Sequence, residues 1–200
     1  MSDIATKAGA ARGRRPQGPL KKASLERAAL HYLERHASSV EGLRRVLARR
    51  VERAAREERC DRDEATAWVE DIVTRLARSG MVDDRVFAEG KVASLRRRGG
   101  SARRIGMALR EKGVDRDTTA AVLEAADGDD RADAEFRAAC RLARRRRLGP
   151  MRGGPERAER RDRDMAALAR AGFAHGVARR VLDLDDSEAL EAAIAGLEGD

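Results

Sequence analysis

One pattern of apolar and helix-forming residues occurs three times along the chain, with the third copy degraded. The copies are SSVEGLRRVLARRV (residues 38–51), GSARRIGMALREKGV (residues 100–114) and RRDRDMAALARAGF (residues 160–173). Leu47, Leu109 and Leu168 occupy equivalent positions in the three copies, so the two spacings between them are nearly equal. Such periods are typical of stacked helical units, each of which is expected to be too small to bury its own apolar face. A stack of this kind has an extended surface, which favours binding over catalysis in a pocket.

The amino-acid composition predicts an all-α protein. Of the 200 residues, 42% are hydrophobic, 39% are charged and only 2% are aromatic. Ala, Arg, Glu and Leu, which favour helices, are abundant, whereas the β-branched and aromatic residues that favour strands are scarce. We therefore expect about nine helices in three tandem three-helix repeats that form an elongated, curved array. Trp68 lies on the strongest apolar stripe and is expected in the core.

Helix start and stop signals set the boundaries of these repeats. The repeats are predicted at residues 23–80, 81–127 and 128–182, between a disordered basic tail (1–22) and an acidic C-terminal tail (183–200). Ser38 and Glu41 have the spacing of a capping box. Further N-caps are predicted at Asp83, Ser101 and Asp115, and glycines that end helices at Gly80, Gly113 and Gly172.

The distribution of charge indicates an anionic partner, with nucleic acid first. The chain has 43 Lys and Arg against 35 Asp and Glu, a formal net charge of +8. Arginine spread evenly over solvated helix faces would give the same charge without any partner. Clustering favours a partner, and the candidate contact residues are Arg96, Arg97, Arg98, Arg103, Arg104, Arg144, Arg145, Arg146 and Arg147.

No motif for catalysis, a cofactor or a metal is predicted. Asp83 and Asp84 could form an acid–base pair, but a helix cap is the better interpretation because no His or third acid stands near them. Cys60 and Cys140 lack metal-ligand spacing, and the Gly-rich segment 149–154 lacks the Lys-Ser/Thr ending of a phosphate loop. No apolar run is long enough for a membrane span, so a cytoplasmic location is expected.

Residues 81–124, MVDDRVFAEGKVASLRRRGGSARRIGMALREKGVDRDTTAAVLE, closely resemble the RecX family of recombinase regulators. The shared elements occur in the family's order: Asp83-Asp84, Arg85, Phe87, Ala88, Gly100, Ile105, Leu109, Lys112 and Gly113. Residues 29–50 and 168–182 are similar to the first and last repeats of the family. The resemblance spans about residues 24–182, although the polar stretch 52–63 looks longer than the first repeat needs, and the basic tail lies outside it.

The resemblance implies a regulator and not an enzyme. Proteins of this family are arrays of three-helix repeats that bind the RecA recombinase in the groove of its filament on DNA. They modulate, and mainly inhibit, its ATPase, strand-exchange and coprotease activities in recombination, DNA repair and the SOS response. A monomer that contacts DNA weakly or indirectly is expected.

Two other functions agree with the residues themselves. The first is a direct DNA-binding protein built of helix-turn-helix-like units, since short Arg-rich helices joined by tight turns permit it. The sequence argues against this function, because none of the predicted helices carries a group of Asn, Gln and Arg side chains suited to hydrogen-bonding the edges of DNA bases. The second is a nonspecific scaffold, in which the basic faces only keep the protein soluble.

Overall fold

The structure, a computed structural model, describes residues 18–195 and confirms an all-α protein. This part of the chain contains eleven α-helices, a short 3-10 turn at Gly149–Met151 and no β-strand. The helices are α1 (Lys22–Leu33), α2 (Val40–Arg56), α3 (Arg62–Arg78), α4 (Asp84–Arg97), α5 (Ala102–Glu111), α6 (Arg116–Asp127), α7 (Arg131–Arg146), α8 (Gly154–Glu159), α9 (Arg161–Arg170), α10 (His175–Leu182) and α11 (Ser187–Ala195). None of the described helices is long and apolar enough to cross a membrane.

Nine of these helices form three groups of three. The groups are α1–α3, α4–α6, and α7 with α9 and α10. The two further helices within residues 18–195 are α8, in the Gly- and Pro-rich loop, and α11, in the acidic C-terminal segment. The expected count of nine is therefore close to the observed eleven.

The buried apolar residues separate into three clusters, one in each repeat. They include Leu43, Leu47 and Ile72 in the first, Val92, Ile105 and Leu109 in the second, and Phe136, Leu168 and Leu182 in the third. The expectation that each unit is too small to bury its own apolar face is therefore wrong. Three short amphipathic helices enclose a small core, and the repeats are joined by the hydrogen bonds and ion pairs described below.

The helix caps agree with the sequence at most positions. Asp83, Ser101 and Asp115 are N-caps, as predicted. For α2, however, the cap is Ser39, whose Oγ accepts a hydrogen bond from the Gly42 N–H at 3.0 Å. The predicted capping box of Ser38 and Glu41 does not form, because the helix begins one residue later than the sequence motif suggests.

Two features of the first repeat differ from expectation. Trp68 is only partly buried and packs against the edge of the first cluster, so it is not a core residue. Tryptophan is large and is rarely buried completely. The polar stretch 52–63 is mostly helix, because α2 continues to Arg56 and α3 begins at Arg62.

The two segments expected as tails are partly folded. Residues 1–17 and 196–200 lie outside the described residues. At the N-terminal side, α1 already begins at Lys22, and the Leu20 N–H donates to Arg59 O at 2.9 Å. At the C-terminal side, α11 packs against α7 and its Leu190 is fully buried, so residues 187–195 belong to the folded third unit.

Candidate partner-binding surface

The first and second repeats meet where the N-terminus of α2 faces the C-terminus of α5, and we call this contact the first junction. The Ser39 hydroxyl donates a hydrogen bond to Lys112 O at 2.5 Å. Arg45 Nη1 donates to Glu111 O at 2.8 Å, while Arg45 Nε binds the Glu41 carboxylate at 2.8 Å. The terminal carbonyls of α5, which have no partner within their own helix, thus receive donors from the neighbouring repeat.

The second and third repeats meet in the same way at the second junction, between α5 and α9. The Ser101 hydroxyl donates to Ala171 O at 2.7 Å. Ser101 is the repeat equivalent of Ser39, and Ala171 is the equivalent of Lys112, so the sequence repeat coincides with a structural repeat. In both junctions the N-cap serine of one middle helix binds the C-terminal carbonyl of the next middle helix.

The glycines that end α5 and α9 are required by this close approach. Gly113 has φ +81° and Gly172 has φ +94°, in the left-handed region that other residues rarely adopt. A Cβ at Gly113 would lie 2.5 Å from Glu41 Cγ, and closer still to Glu41 Cβ. A Cβ at Gly172 would lie 2.6 Å from Ser101 Oγ. Each glycine therefore leaves room for the first turn of the helix in the preceding repeat.

The second junction lacks the ion pair that covers the first. Aligning Ser101 with Ser39 places Arg103 at the position of Glu41 and Met107 at the position of Arg45. Met107 is 53% exposed. A groove of about 440 Å³ remains open between α5 and α9. Its long side chains are those of Arg103, Arg104, Met107, Glu111 and Arg170.

A smaller groove adjoins it where the α4–α5 turn lies on α7. This groove has a volume of about 180 Å³ and shares Arg104 and Ala171 with the first. Arg145 Nη1 donates to Arg98 O at 2.6 Å, which links α7 to the turn. We call the two grooves together the basic seam. Its arginines are Arg98, Arg103, Arg104, Arg145, Arg146 and Arg170.

Gly99 allows the α4–α5 turn to approach the backbone of α7. Its φ is +75°, and a Cβ there would lie 2.5 Å from Leu142 N and 2.7 Å from Ala138 O. No larger residue fits without moving the turn away from α7. This contact brings Arg98 beside Arg145, although the two residues are far apart in sequence.

The seam is strongly basic because its guanidinium groups are not neutralised. Within residues 18–195, none of its six arginines lies within 4.0 Å of a carboxylate. Glu111 is the one acidic side chain among the described residues that line it. Arginine stays protonated at any physiological pH and forms paired hydrogen bonds with phosphate or carboxylate oxygens. The seam can therefore bind an anionic partner along two repeats.

The sequence predicts Arg96 as a contact residue, but the structure buries it. Its Nε and Nη2 bind the Asp127 carboxylate at 2.9 and 2.6 Å, and its Nη1 binds Glu135 at 2.7 Å and Gly100 O at 2.9 Å. The prediction that Arg96 is an exposed charge is wrong. It follows Val92 by one helical turn and so lies on the buried face of α4, a signal that was present in the sequence.

The other predicted arginines divide into two groups. Arg98, Arg103, Arg104, Arg145 and Arg146 come together in the seam. Arg97 is exposed but does not line the seam. Arg144 binds Glu191 of α11 at 2.8 Å, and Arg147 ends α7 in a left-handed conformation with φ +53°.

Sequence reasoning missed two residues that line the seam. Neither Met107 nor Arg170 belongs to a run of arginines, so charge clustering does not single them out. The repeat itself marks both, because Met107 is equivalent to Arg45 and Arg170 is equivalent to Glu111. At the second junction, the equivalent of Arg45 is therefore the uncharged Met107, and the equivalent of the acidic Glu111 is the basic Arg170.

The structure shows no cluster suited to metal binding in its described part. No group of three or more His, Cys, Asp and Glu residues in residues 18–195 is arranged to hold a metal ion. Cys140 is buried in the third cluster, as expected, and burial raises the pKa of its thiol to about 12. Cys60 is partly exposed.

Comparison with known proteins identifies the family. The family model described as "RecX, second three-helix domain" matches residues 83–123, which run from the N-cap of α4 into α6 and include three seam arginines. Regulatory protein RecX of Myxococcus xanthus (strain DK1622) is 47% identical over 160 residues, which are 80% of this chain and 84% of that protein. The chain belongs to the RecX family. Regulatory protein RecX of Thermobifida fusca (strain YX) is 41% identical over 115 residues, 57% of this chain and 59% of that protein.

Solved RecX structures have the same fold. A crystal structure of regulatory protein RecX superposes with a TM-score of 0.57 at 18% identity, covering 81% of this chain and 71% of that one. The crystal structure of RecX from Lactobacillus salivarius superposes with a TM-score of 0.55 at 15% identity, covering 82% and 97%. These likenesses concern the fold alone. The RecX relatives are named as regulatory proteins, which agrees with a regulatory role.

Proposed function

We propose that this chain binds the filament that the RecA recombinase forms on DNA and mainly inhibits it. The activities lowered would be ATP hydrolysis, strand exchange and coprotease activity, in recombination, DNA repair and the SOS response. The observation that carries the proposal is the basic seam, in which six arginines without carboxylate partners in residues 18–195 span two repeats. Membership of the RecX family supports it.

Electrostatics favour a filament that contains DNA as the partner. The phosphates of DNA attract a basic surface over distances comparable to the Debye length, about 8 Å at physiological salt. The seam extends over two repeats, so one chain could contact neighbouring RecA protomers of the filament at the same time through several weak contacts. Joined contacts gain effective concentration, and no single strong site is needed.

Inhibition would follow from occupancy and not from catalysis. A protein that fills the filament groove or spans neighbouring protomers restrains the movements that hydrolysis and strand exchange require. This role needs no cofactor and no catalytic residue in the regulator.

The test compares two variants that lose the same charge. The seam variant replaces Arg98, Arg103, Arg104, Arg145 and Arg146 with Ala. Arg96 is left in place, because its burial makes it a determinant of folding. The control variant replaces five exposed arginines outside the seam, Arg27, Arg35, Arg78, Arg110 and Arg116, with Ala. Both are assayed for inhibition of the DNA-dependent ATPase of RecA at several salt concentrations.

We expect the seam variant to inhibit about tenfold more weakly, because several ion contacts are lost while exposed charges add little to stability. Its binding should also depend less on salt, with a slope in log–log form lower by as much as about 3–4. The control variant should retain most of its inhibition. Equal inhibition by the two variants, with equal salt slopes, would place the contact surface elsewhere.

Direct DNA binding is the second candidate, favoured by the same guanidinium groups of the basic seam. Fluorescence anisotropy with labelled single-stranded and duplex DNA separates the two functions. A regulator of the filament binds recombinase-coated DNA more tightly than naked DNA. A DNA-binding protein binds naked DNA tightly, and the recombinase competes with it.

A further inference from the structure

A second groove lies beside the first junction, between the end of α1, the α3–α4 turn and α4. It has a volume of about 490 Å³ and shares no lining residue with the basic seam. Met81 and Val86 line it and are 55% and 64% exposed, and Leu33 and Phe87 add partly buried apolar surface. Such exposed apolar side chains, gathered in one concave site, are typical of an interaction surface.

The groove continues into a basic part. An adjoining depression of about 310 Å³ shares Phe87 and Lys91 with it. Its cationic side chains are Arg45, Arg49, Lys91 and Lys112, and none of the described residues that line it is acidic. We call the apolar and basic parts together the α1–α4 groove.

The positive charge in the α1–α4 groove is available to a partner. Within the described residues, Arg49, Lys91 and Lys112 have no carboxylate within 4.0 Å. Asp83 is the one acidic side chain among the described residues that line the apolar part. Its Oδ1 is engaged as the N-cap of α4 and accepts hydrogen bonds from the backbone N–H of Arg85 and Val86 at 2.7 and 3.1 Å.

We propose that the α1–α4 groove binds an acidic amphipathic helix of a protein partner. Apolar side chains of that helix would contact Met81 and Val86, and its carboxylates would bind Lys91 and Lys112. Val86 and Lys91 are five residues apart on α4, a rise of about 7.5 Å. Residues at i and i+4 of a helix are separated by a rise of about 6 Å, so one helix face can carry both kinds of contact.

The apolar part distinguishes a polypeptide from a nucleic-acid strand. Burying Met81 and Val86 under an apolar side chain is favourable, whereas a phosphodiester backbone gains nothing from these residues. A second copy of this chain is a poor occupant. Its acidic helix α11 already buries its own apolar residues, Leu190 and Ile194, in the third cluster.

The experiment measures peptide binding to the full chain, without recombinase or DNA, and so is independent of the role proposed for the basic seam. The probe is a fluorescein-labelled helical peptide of about four turns, with Leu and Glu at i, i+4 spacing along one face. Two matched peptides serve as controls, one with every Glu replaced by Lys and one with every Leu replaced by Ser. Fluorescence anisotropy gives the dissociation constants.

Two double variants remove the two parts of the groove. Met81→Ser with Val86→Ser removes the apolar part, and Lys91→Glu with Lys112→Glu reverses the basic part. Met107→Ser is the matched apolar control, since Met107 is also exposed but lies in the seam. Arg110→Glu with Arg116→Glu is the charge control. Circular dichroism and thermal unfolding confirm that each variant is folded.

We expect each groove variant to bind the peptide at least about tenfold more weakly, as when contact residues at the centre of an interface are lost. The control variants should stay within about twofold of the original chain, as for surface substitutions elsewhere. Both control peptides should bind weakly.

Three results would overturn the proposal. The first is no saturable binding of the acidic peptide, or equal binding by the groove variants and their controls. The second is tighter binding of a single-stranded oligonucleotide, lost on charge reversal of Lys91 and Lys112 but unaffected by Met81→Ser with Val86→Ser. The third is self-association in sedimentation velocity that either groove variant abolishes, which would make a second copy the occupant.

Discussion

The two junctions between repeats share one hydrogen bond and differ in the charges around it. In each, an N-cap serine, Ser39 or Ser101, binds the last carbonyl of the next middle helix. Around Ser39, Glu41 pairs with Arg45 at the surface and covers the contact. Around Ser101, arginines that have no carboxylate partner in residues 18–195 line an open groove. The same serine-to-carbonyl hydrogen bond therefore joins the repeats at both junctions, and the side chains beside it decide which junction an ion pair covers.

The location of the ion pairs also differs between the junctions. Glu41 and Arg45 are partly exposed, and pairs of this kind contribute little to stability. Beside the second junction, within the second repeat, the side chains of Arg96 and Asp127 are only 10% and 1% exposed. Arg96 joins the end of α4 to the end of α6, to α7 through Glu135 and to the turn before α5. It thus fixes the turn that carries Arg98 of the seam.

The largest expected effect is the loss of this buried network. Arg96→Ala leaves Asp127 buried without its partner and should lower the free energy of unfolding by about 3–5 kcal/mol. Urea unfolding monitored by circular dichroism measures it. Arg97→Ala, one residue later and exposed, is the control and should change stability by no more than about 0.5 kcal/mol. A loss for Arg96→Ala no larger than for Glu41→Ala would mean that the buried network and the partly exposed ion pair contribute equally to stability.

The junction glycines test how closely the repeats approach. Gly80 also has a positive φ, +72°, but a Cβ there would meet nothing within 4 Å. Gly80→Ala should cost about 1–2 kcal/mol, the usual penalty of the left-handed conformation. Gly113→Ala and Gly172→Ala should each cost at least about 1 kcal/mol more, because the added methyl group meets Glu41 or Ser101. Equal losses of unfolding free energy for the three Gly→Ala variants would show that the repeats can move apart at the junctions to make room for the methyl group at no measurable cost.

The smallest expected effect is on the pH dependence of stability, when Asp84 is replaced beside the first junction. Asp84 Oδ1 accepts a hydrogen bond from the Val40 N–H at 2.8 Å, but burial raises the pKa of this carboxyl above its usual value. The ionised form is therefore disfavoured in the folded state, and the stability that Asp84 contributes is lost as pH rises through the raised pKa. Asp84→Asn should raise the melting temperature slightly at neutral pH. The gain should disappear near about pH 3, where the carboxyl is protonated.

Asp115→Asn is the control with the opposite sign. Hydrogen bonds from Thr118 lower the pKa of the Asp115 carboxyl, so its contribution to stability is present at neutral pH and is lost as pH falls. Asp115→Asn should lower the melting temperature at neutral pH and have less effect in acid. The melting temperatures of both variants are measured across this pH range. Shifts of the same sign in the two variants would contradict the conclusion that the ionised form of Asp84 is disfavoured in the folded state.

Local signals predict much of the fold. Ser101 and Asp115 are recognisable as N-caps, and Gly113 and Gly172 as helix ends, because capping and left-handed turns depend on residues close in sequence. The same local reasoning fails for Ser38, because the adjacent Ser39 is also a good N-cap residue and caps α2 in its place. It also fails for Arg96, because membership of a run of three arginines obscures its position on the buried face of α4.

The candidate site could be predicted only in part. The arginine clusters at 96–98, 103–104 and 144–147 are visible in the sequence, and five of their nine members line the seam. Which five they are depends on the approach of the α4–α5 turn to α7, since this contact places Arg98 beside Arg145. The role of α11 as part of the third unit is hidden by its acidic residues, which face solvent while Leu190 is buried.

The sequence by itself determined the helical class, the three-part repeat, most helix ends and the excess of positive charge. Each of these depends on composition or on residues a few positions apart, where periodicity and capping act. Only the tertiary structure decided that each repeat closes over its own core, that Arg96 is internal, and that the second junction is open. These properties depend on contacts between residues far apart in the chain, such as Ser39 with Lys112 and Arg96 with Asp127. Local periodicity carries no information on such pairs, because packing between helices selects them.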